Sequence, residues 1–250
     1  MALFTDGAIT SIEDLRGHDT QLLNVATVEG IDVTRKLALA HEELSIEVAG
    51  MLGRLRLAGQ LSAGPVIEQV VMTPPLQLWH IFRTLEMVYG DAYNCQLNDR
   101  YGGKRDEYHE RARWAYNQAI QSGLGMVADS VRQAATPVVR ASAGSLTDGA
   151  YYVAIAWTNA ASEEGASSVA AMIQVSGSSF AVETSAPPKV MGWNVYSGTS
   201  PATMTIQNLQ ILAPGQTWVQ PDTLSTTGRQ AGSGQAPSYW VPVPRTIQRG

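Results

Sequence analysis

Near Pro137 the chain changes its pattern, and that change limits the folds open to it. Upstream, Glu, Arg, Leu and Ala dominate and apolar residues recur every three or four positions. Downstream, Ser, Thr, Gly, Val and aromatics dominate and apolar residues alternate. The first period is that of helices packing on one stripe, and the second is that of strands. A chain of 250 residues has room for two cores. The expectation is therefore α then β: a helical bundle over 1–136, a β-sandwich over 137–231 and an extended tail over 232–250.

Charge follows the same division. Residues 1–136 hold 12 Lys and Arg against 17 Asp and Glu, and residues 137–250 hold 5 of each. The acidity lies in the first half, so the chain lacks the basic footprint that holds nucleic acid by counterion release. No run reaches the roughly 18 apolar residues of a membrane-spanning helix. Asp6, Glu13 and Asp14 stand where a secretory signal has a basic start and an apolar core, so synthesis and use in the cytoplasm are expected. Cys95, the single cysteine, excludes an internal disulfide and reads as a small core residue.

In the first half, Asp19 can cap a short helix over about 20–29. Gly30-Ile31-Asp32 then breaks the chain and caps a helix running to about Leu57. Leu37, His41, Leu44, Val48, Met51 and Leu55 form its buried stripe. Residues 58–73, with Gly59, Gly64 and Pro65 before Val66, Ile67 and Val70, read as an extended arm or hairpin. Thr73-Pro74-Pro75 starts a helix to about Asn98, with Leu78, Phe82, Leu85, Tyr89 and Ala92 on its stripe. A third long helix runs from about Arg100 to Ser122 with a small-residue seam of Tyr108, Ala112, Ala115 and Ala119, closed by Gly123 and Gly125. Leu78, Trp79, Phe82 and Tyr101 are expected in the core. In the second half, Tyr151, Val153, Ile155 and Trp157 alternate as a strand. Further strands are expected over 168–175, 179–183, 192–197, 203–207 and 217–220, and short strands at this spacing describe a sandwich.

The residue types of catalysis occur without its spacings. His18, His41, His80 and His109 are scattered, with no HExxH or CxxC arrangement. Glu42-Glu43 sit on a helix where neighbours point about 100° apart, and Glu163-Glu164 fall in a turn, so neither pair makes an acid and base couple. Ser142, Ser145, Ser178 and Ser179 lie in turn-like runs without a GxSxG elbow. Gly102-Gly103-Lys104 lacks the phosphate-loop spacing, and Asp99, Asp106, Glu107 and Glu110 cancel the basic residues of 100–114. No enzyme, cofactor or metal is expected. Trp157, Trp193, Tyr196 and Trp218 fit a sandwich core, with a sugar-binding platform as the alternative.

Two stretches resemble a known family. Asp19-Thr20-Gln21-Leu22-Leu23-Asn24-Val25-Ala26 through Lys36-Leu37-Ala38-Leu39-Ala40, and Leu76-Gln77-Leu78-Trp79-His80 through Asp99-Arg100-Tyr101 to Trp114-Ala115-Tyr116, are similar to the helical head-to-tail connector, or adaptor, proteins of tailed bacteriophages. The resemblance implies a virion protein that forms a ring, commonly of twelve copies, beneath the portal. Its partners would be the portal protein, copies of itself and a downstream neck or tail protein. DNA would pass through the channel without specific binding, and no membrane would be involved. Residues 138–231 separately resemble fibronectin type III or immunoglobulin-like modules, through Gly149–Val153, Trp157 and Gly192–Tyr196. The arm and the tail are the expected docking elements, by strand addition: Val66, Ile67 and Val70, with Tyr239, Trp240, Val241, Val243, Arg245, Ile247 and Arg249. The alternative is a tail or capsid accessory protein whose sandwich binds a host-surface glycan.

Overall fold

The structure is a computed structural model that describes residues 1–7, 9–57, 66–95 and 99–243. Helices come first and antiparallel strands follow. The chain divides into two compact units: Ala8–Met126 with Pro237–Gly250, and Met1–Gly7 with Val127–Ala236.

The helical unit holds α1 (Ile12–His18), α2 (Leu22–Glu29), α3 (Val33–Leu57), α4 (Pro74–Cys95) and α5 (Gly102–Ser122). A capping box starts α1: Ser11 Oγ accepts from the Asp14 amide at 3.1 Å, and the Asp14 carboxylate accepts from the Ser11 amide at 2.7 Å. Gly30, at φ +66°, ends α2 at the expected break. Asp32 then accepts from the Arg35 amide at 3.0 Å and so caps α3. α4 is the central helix, with α3 and α5 packed on it. It buries Leu76, Trp79, Ile81, Phe82, Leu85, Val88, Tyr89 and Ala92, while Leu78 is only partly covered. Its close approach to α5 follows from the small seam of Ala112, Ala115 and Ala119, all buried beside Tyr108.

Polar side chains tie these helices together. The Asp19 carboxylate accepts from the hydroxyls of Tyr89 on α4 and Tyr108 on α5, both at 2.8 Å, and from the Gln21 amide at 2.9 Å. The buried His80 ring bonds Thr10 Oγ1 at 2.9 Å and the Leu37 carbonyl at 3.1 Å, linking α4 to α3 and to the chain entering α1.

Two expectations are corrected here. The described part of the arm is a single 3-10 turn, Ile67–Gln69, followed by Val70 and Val71 buried in the unit. Residues 58–65 lie outside the described residues. The tail, expected as an extended docking element, is paired within its own chain, where β1 (Leu124–Met126) runs antiparallel to Tyr239–Val241. Val70 bridges Met126 on the other side of β1. The glycines around β1 serve this pairing. A Cβ on Gly125 would stand 2.8 Å from the Pro237 ring and 2.9 Å from Thr73, and one on Gly123 would stand 2.6 Å from the Val241 carbonyl.

The second unit holds β2 (Val138–Ser142), β3 (Gly149–Thr158), β4 (Ala171–Val175), β5 (Ser179–Glu183), β6 (Gly192–Gly198), β7 (Thr205–Ile206) and β8 (Trp218–Val219), with β9 (Tyr239–Val241) belonging to the helical unit. One antiparallel sheet runs β2-β5-β8 and the other β4-β3-β6-β7. Tyr151, Val153, Ile155 and Trp157 of β3 share one core with Phe180 and Val182 of β5, Trp193 and Val195 of β6, and Trp218 of β8. The opposite face of β3 and β6 is also covered: Ala154, Ala156, Tyr196 and Met204 are buried beside Ala170, Ile206 and Ala231. Double coverage explains why β6 is buried along its whole length.

Composition placed the boundary too far along the chain. Val127–Thr136 belong to the β unit, where Val131 and Ala134 enter its core. Residues 1–7 join that unit as well. Leu3 and Phe4 are buried, and the Asp6 carboxylate accepts from the amides of Leu3 at 2.7 Å and Gln133 at 2.8 Å.

Candidate functional site

A concave surface lies in the helical unit, where α3 and α5 rise on either side of α4. Helices flanking a central one leave a trench unless a fourth covers it, and here the trench is open. It consists of two hollows of about 440 Å³ each. Trp79 forms the floor of one, edge-on to Tyr116 of α5 with ring centroids 4.9 Å apart. Met87 and Gly90 of α4 and Leu39 of α3 line the other.

A chain of charges forms the saddle between the hollows. Arg83 of α4 donates through Nε to Glu43 of α3 at 2.7 Å and through Nη1 to Glu86 at 2.8 Å. Glu86 in turn meets Nδ1 of His109 on α5 at 2.9 Å. The hydrogen bond to Glu43 and the further bond and charge of Glu86 raise the Arg83 pKa above its ordinary value against partial burial, so it is a fixed cation. The arrangement holds the trench open at a set width. The trench thus combines walls of mixed charge with aromatic rings on the floor of one hollow.

The histidines have structural settings. His18 meets the Phe82 ring edge-on, and His41 and His80 likewise meet edge to face with centroids 5.9 Å apart. Burial, together with the neighbouring His41 and against the hydrogen bond to Leu37, lowers the His80 pKa to about 4. Among the described residues no group of three or more His, Cys, Asp or Glu could hold a metal ion, and no helix is long and apolar enough to cross a membrane.

Glu163 and Glu164 have separate tasks. Glu163 accepts from Asn159 at 2.9 Å and from Gln235 at 2.8 Å. Glu164 accepts from Arg229 Nη2 at 2.7 Å, from the Tyr196 hydroxyl at 2.8 Å and from Asn194. Burial alone would raise the Glu164 carboxyl, but Arg229, Asn194 and Tyr196 together hold it below the usual carboxylate range. It is a saturated anion that clamps the chain around Arg229 onto the outer face of β6. The aromatic platform needed for sugar binding is missing at the expected residues, since Trp157, Trp193, Tyr196 and Trp218 are all buried.

The expected docking residues divide. Val66 is exposed, Ile67 is half-buried, and Val70 is buried against β1. On β9, Tyr239 and Trp240 are exposed at 39% and 49%, while Val241 and Val243 are buried. Arg245, Ile247 and Arg249 lie outside the described residues. The two segments, expected as independent arms, meet on opposite sides of β1. Sequence reasoning missed the trench, whose one visible signal was Ile46, an apolar residue on the polar side of α3. No family model matches this chain, and no curated protein matches it.

Proposed function

We propose that the chain is a structural protein of the tailed-phage neck, a ring-forming adaptor that docks on the portal and extends the DNA channel toward the tail. The observation that carries this reading is the open trench over α4, a seat for a helix of a neighbour. A heterologous ring needs such a surface on every subunit, with its complement elsewhere on the same molecule or on the portal. The acidity of the helical half suits a channel through which DNA slides without adhering.

The β unit is, in the same proposal, an immunoglobulin or fibronectin type III-like module bracing the ring. The order β4-β3-β6-β7 is compatible with C′-C-F-G of such sandwiches, and β2-β5 with B-E, with β8 beside β5 where D would lie. Trp157 on β3 then occupies the place of the buried tryptophan of strand C. Strand β8 departs from that pattern, since it reaches the D position after β7 in the chain.

The test is the mass of the purified protein, alone and mixed with a portal protein, by light scattering with negative-stain imaging. Closed rings, or rings formed only on the portal, are expected. A monomer that ignores the portal would sink the adaptor reading.

A further inference from the structure

The core-facing side of α3 is set by Val33, Ala40, Leu44, Val48, Met51 and Leu55. At 100° per residue, a second stripe lies roughly opposite it: Leu39, Ile46, Gly50, Gly53 and Leu57. Ile46 is 74% exposed and Leu57 91% exposed. A Cβ on Gly53 would meet nothing within 4 Å, and one on Gly50 would meet only the end of the Arg54 side chain. Each glycine inside a helix costs about 1 kcal/mol relative to alanine. Packing among the described residues does not offset that cost, so among them the stripe of large and small residues lacks a counterpart.

We propose that this stripe is an interface with a second copy of the chain, in which α3 pairs antiparallel with α3 of the partner copy about a two-fold axis. Three features select this occupant and direction. Setting Ile46 over Gly50 of the second copy also sets Leu39 against Leu57, so each large side chain meets a small residue or another apolar one. The same register brings Glu42 and Glu43 within a turn of Arg54 of the second copy, twice by symmetry. Acids occupy the middle of α3, at Glu42, Glu43 and Glu47, and Arg54 and Arg56 occupy its last turn. A parallel pairing would oppose the acids to themselves, whereas the antiparallel one matches unlike charges. The overlap from Leu39 to Leu57 is about 28 Å long by the helical rise. The pairing does not depend on the neck reading, and because Ile46 and Leu39 also line the trench over α4 it competes with a neighbour's helix seated there.

Cysteine crosslinking tests it. One protein carries Ile46→Cys with Cys95→Ser, and another carries Gly50→Cys with Cys95→Ser. Ile46 is exposed, Cys95 is exposed rather than in the core as expected, Gly50 is partly exposed, and an unchanged helical circular dichroism spectrum checks the fold. The expected result is a disulfide-linked dimer when the two are mixed and oxidised, and none from either alone. Crosslinking of each protein with itself would overturn the antiparallel register, and no crosslink in the mixture would overturn the interface. In the otherwise unaltered chain, Ile46→Glu should raise the dimer dissociation constant about tenfold or more by sedimentation. Rings that form on a portal without the crosslink would remove this pairing and leave the neck reading standing. A crosslinked dimer that ignores the portal would do the reverse.

Discussion

At the scale of single residues, the chain uses its few buried polar groups to fix helices to one another. Asp19 was legible as a helix cap, and its bond from the Gln21 amide is of that kind. Its two tyrosine partners were not legible, because they come from positions far along the chain and no local pattern marks them. Burial would raise the Asp19 carboxyl, but the bonds from Tyr108, Tyr89 and Gln21 and the charge of Lys104 hold it below its ordinary value. Asp19→Asn should therefore destabilise the helical unit by about 1–3 kcal/mol in urea unfolding, since both hydroxyls lose a charged acceptor. His80 gives a pH dependence of its own. Its pKa is about 4 in the fold against 6.5 when free, so the unfolded chain binds more protons between those values. Stability is then fully present above about pH 6.5 and falls as pH drops toward 4. The expected loss at pH 5 is about 2 kcal/mol. It should appear as a shift in the urea midpoint of the helical signal between pH 7 and pH 5, and His80→Gln should flatten most of that slope.

At the scale of elements, long periodic segments were readable and short ones were not. The stripes of α3, α4 and α5 repeat over about three to six turns, enough for periodicity to outweigh any one residue. Strands β3, β5 and β6 declared themselves by alternating large side chains. Strands β1 and β9 have three residues each, and their partners lie over a hundred positions apart, so no local window holds the information that makes them strands. Glycine marked the place without naming the reason: Gly125 looked like a helix stop and is in fact the seat of Pro237. Gly125→Ala should cost about 1–3 kcal/mol by overpacking this contact. Differential scanning calorimetry would check it, and a melting temperature equal to the parent's would mean that Pro237 yields freely. Ending the chain at Ala236 removes β9 altogether and should lower helical stability even in the absence of any partner. Any loss of assembly in such a truncation must therefore be measured against that loss of fold.

At the scale of the whole molecule, the compositional boundary and the structural one differ because composition records the local environment and units are defined by who packs on whom. The polypeptide crosses between units after Gly7, after Met126 and after Ala236, so each unit is completed by a terminal segment. Phe4 makes the consequence measurable. It precedes the helices in sequence, yet it is fully buried and belongs with residues 127–236. Phe4→Ala should destabilise the β unit by about 3–5 kcal/mol, the usual cost of emptying an aromatic site in a core. Hydrogen exchange separates the two accounts of where that residue acts. If it completes the β unit, amides of β3 and β6 lose protection while those of α4 and α5 keep theirs. If protection falls first in the helices, the N-terminal segment serves the unit that follows it in sequence, and the division of the chain would have to be redrawn at Gly7.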